Sequence, residues 1–223
     1  MDKYFIKVCE STNDIAKLFL DTGVNIPFVV TAESQTRGKG QRGRNWVSDK
    51  GGLFASFVVR RMDLRKALII GALTSYHVVS RFIPCKLRFP NDIIVGKKKI
   101  SGVLVEITSE ATIIGIGLNV NQKTFPESLF GIATSLCIET SKEHDLGELL
   151  DLYIEELESL LDMDYNTLFS DYSKAVSFPG LCTIHLSGGR NFVTSIGRIE
   201  RDFSIVTDKG IFPFESVVWI EWM

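Results

Sequence analysis

Ile113-Ile114-Gly115-Ile116-Gly117-Leu118-Asn119-Val120 reads as one strand with two unlike faces. Side chains along a strand point alternately to opposite sides, so Ile114, Ile116, Leu118 and Val120 share one face and Gly115, Gly117 and Asn119 the other. The first is a core face. The second has lost its side chains, although a strand gives up packing wherever glycine stands. Two glycines followed by an amide suggest a floor cleared for a flat ligand, with Asn119 placed to read its edge. A close helix crossing is the plainer alternative.

Working outward, residues 99–107 form a neighbouring strand. Residues 86–89 and 93–95 are short strand segments, and Gly96-Lys97 looks like a hairpin turn between 93–95 and 99–107. Residues 4–8, 27–31 and 53–59 are further strands. Ser11-x-x-Asp14 fits a capping box that opens a helix with Ile15, Leu18 and Phe19 on its apolar stripe. Residues 64–82 predict a mostly buried helix, apolar on more than one face. Residues 145–161 predict another, whose second face is acidic and solvated, and 165–176 a shorter one. At Pro179-Gly180 the texture changes to five short strands, 181–186, 192–199, 203–206, 211–214 and 217–222, which predict a small β-barrel. Two domains are therefore expected, 1–177 and 178–223.

Bulk properties exclude several classes. Of 223 residues, 45% are hydrophobic and 23% charged, as in ordinary globular chains. A net charge of −2 gives no bulk reason to bind nucleic acid or anionic membrane. Cys9, Cys85, Cys137 and Cys182 are scattered, without a C-x-x-C pair and without clustering against His77, His144 and His185. No disulfide framework or structural metal is expected, and the thiols suit a reducing cytosol. The apolar stretch 67–83 is too short and too polar to span a bilayer, and no signal peptide precedes it. A cytoplasmic protein without membrane or DNA partners is the expectation.

Residues 37–44, Arg37-Gly38-Lys39-Gly40-Gln41-Arg42-Gly43-Arg44, hold four cations, three glycines and no acid. Glycine lets backbone amides approach an anion, and arginine grips phosphate with two prongs, so the loop suits phosphate. It is not a Walker A loop. Gly38-x-Gly40-x-x-Gly43 matches the dinucleotide fingerprint by letter only, since no helix pattern follows. A flexible solvated loop and a nucleic-acid-binding patch remain alternatives. Phe89-Pro90-Asn91-Asp92 interrupts a sheet, and an Asp there can hold Mg²⁺ on a nucleotide, or simply shape a turn. Lys99 begins an apolar strand and can point into a site or into water.

In order along the chain, Glu10-Ser11-Thr12-Asn13, the segment Gln35-Thr36 with residues 37–44, Trp46, Phe89-Pro90-Asn91-Asp92, residues 99–106 (Lys-Ile-Ser-Gly-Val-Leu-Val-Glu) and Gly115-Ile116-Gly117-Leu118-Asn119 resemble the biotin protein ligase family. The resemblance covers about residues 3–177 and, more loosely, the C-terminal strands. It implies an α+β fold of the class II synthetase-like type: a central mixed or antiparallel sheet with helices against it, plus a small SH3-like barrel. It implies an enzyme that makes biotinyl-5′-AMP from biotin and MgATP, then transfers biotin to a lysine of a biotin carboxyl carrier domain. A homodimer is also implied. By position, Ser11, Thr12, Asn13, Gln35, Thr36, Gly38, Lys39, Gly40, Gln41, Arg42, Lys99, Gly102 and Gly115 match biotin-binding residues. Lys39, Arg42, Trp46, Asn91, Asp92, Lys99, Gly117 and Asn119 match the ATP side, with Asp92 as an Mg²⁺ ligand. Lys99 and Arg42 match the catalytic cations.

Strict alternation puts Lys99 and Gly102 on opposite faces, so if both touch ligand, one acts through backbone or a bulge intervenes. The chain departs from the family pattern where Lys39 and Gln41 replace loop arginines, Phe89 replaces a tryptophan and Arg88 a lysine. Only ten residues precede Ser11, which argues for the monofunctional type without a helix-turn-helix. Two alternatives are a lipoate or octanoyl ligase of the same fold, whose Arg-Arg-x-Ser/Thr-Gly-Gly-Gly segment is absent, and a non-catalytic nucleic-acid-binding module.

Overall fold

The computed structural model describes residues 1–178 and 180–223, without the side chains of Arg42 and Trp219. The first strand, β1 (Asp2–Cys9), is followed by α1 (Thr12–Asp21), β2 (Phe28–Gln35) and β3 (Leu53–Arg60). Next come α2 (Leu64–Ser80), β4 (Lys86–Arg88), β5 (Asp92–Val95), β6 (Lys98–Ile107) and β7 (Ala111–Leu118). Three helices follow, α3 (Leu136–Thr140), α4 (Leu146–Leu161) and α5 (Tyr165–Ala175), and then β8 (Val176–Ser177). These strands form one sheet in the order β1-β2-β3-β7-β6-β5-β4-β8. β1–β2 and β4–β8 pair parallel at the two edges, and every pair between them is antiparallel. The expected mixed sheet is therefore present.

Period-2 alternation divides this sheet into two cores. Val29, Phe57, Ile114, Ile116 and Leu118 face α2, α4 and α5, while Phe28, Val30, Val58 and Ile113 pack with Ala16 of α1 on the other side. α2 is buried on several faces because it lies between the sheet and α4 and α5. At its crossing, a Cβ on Gly71 would come within 2.7 Å of Val103 and 2.8 Å of Ile114, so the helix can lie this close only with glycine there. Asp63 caps α2 by accepting from the backbone N–H groups of Arg65 and Lys66. Ser11 does sit at the N-cap of α1, but its side chain makes no cap bond, so the expected capping box is not formed.

The C-terminal strands β9 (Leu181–Leu186), β10 (Asn191–Ile199), β11 (Ile205–Thr207), β12 (Gly210–Phe212) and β13 (Val217–Trp222) form an antiparallel half-barrel in the order β12-β11-β10-β9-β13. A register shift between Ile196 and Arg198 bends β10. Two strands are offset from expectation. Phe203 precedes β11 with φ +67°, and Phe214 has left β12 for a 3-10 turn. Of the expected Pro179-Gly180 turn, Gly180 has φ +85° and Pro179 lies outside the described residues. Among the described residues, no helix is long and apolar enough to cross a membrane.

Candidate functional site

A cavity of about 710 Å³ opens on the glycine face of the sheet. Gly102, Gly115 and Gly117 form its floor, with Leu104 beside them. Gly102 pairs with Gly117, and Leu104 with Gly115, so three glycines meet across the β6–β7 ladder. The cleared space is partly used by the protein itself. A Cβ on Gly115 would lie 2.4 Å from Asn13 Oδ1, and one on Gly117 only 2.5 Å from the Trp46 ring. The sequence alternatives were therefore both partly right: α1 crosses closely at Gly115, and beyond it the bare floor faces the cavity.

At one end of the cavity a polar network joins three strands and a helix. Gln35 Oε1 accepts from Thr12 N (2.7 Å) and Thr12 Oγ1 (3.1 Å). Gln35 Nε2 donates to Ser48 Oγ (2.8 Å), whose hydroxyl donates to the Trp46 carbonyl (3.0 Å). Ser56 Oγ lies 2.8 Å from Thr12 Oγ1 and donates to Asn13 Oδ1 (2.5 Å). Asn13 Nδ2 donates to Glu106 Oε2 (2.6 Å), and Lys17 Nζ to Glu106 Oε1 (2.6 Å). Ser11, Thr12 and Gln35 reach the cavity wall. Ser11, whose side chain makes no cap bond, is one of the residues of that wall. Asn13 is buried behind it with its amide committed on both sides.

At the other end stand Asn91, Asp92, Lys99 and Asn119. The Phe89–Asn91 turn brings Asn91 and Asp92 to the start of β5; Asn91 Nδ2 donates to the Val103 carbonyl, and Asn119 Nδ2 to the Thr134 carbonyl (3.0 Å). Lys99 and Gly102 share a face after all. The β5–β6 register runs Asp92↔Gly102 and Ile93↔Ser101, then Ile94↔Lys99, so β6 carries an extra residue, the bulge that a shared face requires. The Lys99 chain lies across Gly102, where a Cβ would meet its Cε and Nζ at 2.9 Å. Its ammonium sits 2.5 Å from Asp92 Oδ1 and 5.1 Å from the centre of the Trp46 ring.

Asp92 takes a second cation, Arg88 Nη2 at 2.8 Å on Oδ2. Burial works to raise its carboxyl pKa, but the charges of Lys99 and Arg88, and their hydrogen bonds, outweigh it and hold the group below the usual carboxylate range. Both oxygens are thus committed to cations. Asp92 is the sole acidic side chain among the described wall residues, and no described cluster of three His, Cys, Asp or Glu could hold a metal. A cation held mainly by a nucleotide's own phosphates fits such a wall; a protein-caged metal does not. Among the described residues, the buried side-chain N–H groups Trp46 Nε1 and Arg88 Nε have no hydrogen-bond partner.

The glycine-arginine loop folds over the cavity as a tight hairpin. Trp46 N donates to the Gly38 carbonyl (2.8 Å) and Gly40 N to that of Arg44 (2.7 Å). Gly40, Gln41 and Lys39 line the cavity, as do Arg44 and Asn45, although Lys39 Nζ is paired with Asp14 at 2.6 Å. The Arg42 side chain, expected to be catalytic, lies outside the described residues. Gly38 acts indirectly: a Cβ there would strike Ser48 Oγ at 2.3 Å and the Trp46 carbonyl at 2.4 Å. Thr36 is exposed and accompanies the Cys9 carbonyl, away from the cavity wall.

Several wall residues carried no signal in the sequence. Phe125, Leu129, Ile132 and Ala133 come from the aperiodic segment after β7, tied to Lys99 by backbone bonds to Ile132 and Thr134. Trp222 and Met223 reach the same cavity from the half-barrel. Ser56 had a weak signal, as the one hydroxyl in the apolar run of β3.

The chain is similar to proteins of known kind. The chain is 34% identical over 152 residues to the bifunctional ligase/repressor BirA of Bacillus spizizenii, covering 62% of this chain and 47% of that protein. It therefore spans about half the length of that relative. It is 28% identical over 205 residues to the biotin–[acetyl-CoA-carboxylase] ligase of Mycobacterium tuberculosis, covering 85% of this chain and 76% of that one. The biotin protein ligase of Aquifex aeolicus, solved in complex with biotin and ATP, superposes over 100% of this chain and 99% of its own with a TM-score of 0.86 at 25% identity. The sequence model of one family matches residues 5–122, the stretch that builds the network, the hairpin, the Lys99 bulge and the glycine floor, and by that match the chain belongs to the biotin/lipoate A/B protein ligase family.

Proposed function

We propose that this chain is an ATP-dependent biotin protein ligase: it condenses biotin with MgATP to biotinyl-5′-AMP and passes the biotinyl group to a lysine of a biotin carboxyl carrier domain. The observation that carries this reading is a cavity with a hydrogen-bonding network at one end and, at the other, two asparagines with Lys99 beside them over the glycine floor. The first end suits a small polar ring, the second a nucleotide.

The chemistry needs this layout. A carboxylate must approach the α-phosphate, and two unit charges about 4 Å apart repel by about 4 kcal/mol at an effective dielectric near 20. Lys99 stands where those anions meet, with Arg42 and Lys39 supplied by the hairpin. Asp92 holds Lys99 in place, and Mg²⁺ enters as part of the nucleotide substrate, held by its phosphates beside the Asp92 wall. The carboxylate oxygen attacks the α-phosphorus and pyrophosphate leaves; positioning and charge stabilisation supply the catalysis, with no nucleophilic side chain required. The hairpin then shields the acyl-adenylate from water until the acceptor lysine attacks its acyl carbon and AMP departs. Homodimer assembly and a cytoplasmic setting belong to the same proposal.

Incubation with ATP, Mg²⁺ and a carrier domain, with labelled biotin in one arm and lipoate in the other, tests it. Biotin should be transferred and lipoate not. Transfer of lipoate instead, or retention on polyanions without ATP turnover, would overturn the proposal.

A further inference from the structure

The network at the Ser11 end has a direction, and its direction is set by a residue outside the cavity wall. Glu106 carries Lys17 on one oxygen and accepts from Asn13 Nδ2 on the other. A carboxylate so paired can only accept, so the Asn13 amide is turned with Nδ2 toward Glu106 and Oδ1 toward Ser56. Asn13 Oδ1 also only accepts, so the single Ser56 proton goes to it, at 2.5 Å. Ser56 then has no proton for Thr12, 2.8 Å away. The one Thr12 hydroxyl proton is used inward, on Gln35 Oε1 or on Ser56 Oγ, and what Thr12 offers the cavity is a lone pair.

We infer that Glu106 is a positioning residue that fixes the Thr12 hydroxyl at this end of the cavity as a hydrogen-bond acceptor, and so selects a ligand ring that presents N–H donors, such as a cyclic urea, over one that presents none, such as a dithiolane. This rests on the biotin reading of the site and adds the cause of the preference. Selection works through an unpaired group: a ring without an N–H leaves the Thr12 lone pair buried and unmatched, which costs more than a missing contact. The glycine at position 115 serves the same device, because a Cβ there would displace Asn13 Oδ1 and break the relay at its second link.

Glu106→Gln keeps the size of the side chain but supplies an NH₂, which permits the Asn13 amide to turn over. Ser56 would then receive from Asn13 and donate to Thr12, occupying the lone pair meant for ligand. The expected result is a rise of about tenfold in the biotin KM and in its dissociation constant by calorimetry, with the ATP KM and kcat at saturating biotin within about twofold of the parent. Binding of lipoate, read as its inhibition constant against biotin, should be unchanged, so that the affinity ratio of the two acids falls. A double-mutant cycle with Ser56→Ala separates the relay from general damage, because deleting the relaying hydroxyl should remove most of the effect of Glu106→Gln. Unchanged biotin affinity in Glu106→Gln, equal loss for both acids, or additive effects in the cycle would each overturn the inference while leaving the biotin reading intact. A parent enzyme that does not adenylate biotin would overturn both.

Discussion

Lys99 and Asp92 show how one ion pair sets both chemistry and stability. The ammonium is held by Asp92 Oδ1, lies over Gly102 and faces the cavity, and no other described lysine combines these features. Lys99→Met should lower the rate of biotinyl-adenylate formation by about 100-fold or more, the scale for losing one preorganised charge-stabilising group, measured by pyrophosphate exchange. Asp92 has a pH signature of its own. Its carboxyl is held below the usual range in the folded protein, so on acidification the unfolded chain takes up the proton first. The stability this group adds is complete above the ordinary carboxylate range and is lost as pH falls through it toward the depressed native value. Melting temperatures of the parent and Asp92→Asn should therefore differ at about pH 6 and converge toward about pH 3. A gap that stays constant over that range would show that Asp92 is not held charged by Lys99 and Arg88.

At the scale of elements, β7 divides the cavity between its two glycines. Gly115 makes room for Asn13, and Gly117 for Trp46. Gly115→Ala should raise the biotin KM, and Gly117→Ala the ATP KM, each by about tenfold; the reverse assignment in steady-state kinetics would invert the two ends of the site. The hairpin behaves differently from its ion pairs. Lys39–Asp14 is solvent-exposed and worth about 0.2–1 kcal/mol, so Asp14→Asn should leave the melting temperature nearly unchanged. Gly38→Ala instead drives a Cβ into the Trp46 carbonyl, which has no side-chain freedom to yield. It should speed tryptic cleavage within residues 37–44 and increase hydrolysis of the adenylate. What could be read from sequence follows the same division. β7, β6 and the buried α2 were legible because their side-chain periods survive folding, and the Lys99–Gly102 bulge was legible as a conflict between alternation and shared contact. The Ser11 capping box does not form, because the sequence shows that a hydroxyl stands before a helix, not whether it bonds the helix's first N–H groups. The wall formed by Phe125, Leu129 and Ile132 has no period to read, since its shape comes from backbone bonds to β6.

Across the whole molecule, the two sheets share one core. Cys182, Ile184, Leu186, Ile196 and Val217 belong to the same buried cluster as Leu87, Phe89 and Tyr172. Phe203 is at its centre, fully buried, with ring centres 5.5 Å from Tyr172, 5.4 Å from Phe214 and 6.0 Å from Phe89. Phe89, where the family pattern has tryptophan, is thus a packing partner of the half-barrel rather than a wall of the cavity. The shared core ties residues 1–177 to residues 178–223, so the two parts are expected to melt together, and Trp222 and Met223 carry the half-barrel into the site itself. Phe203→Ala should cost about 3–5 kcal/mol, the range for emptying a buried aromatic site. For a chain of this length that lowers the melting temperature by roughly 6–20 °C. Calorimetry should show one transition in parent and variant alike, with adenylation lost in step with it. Two transitions, with the variant moving only one, would show that the half-barrel melts on its own and that the cavity can stand without it.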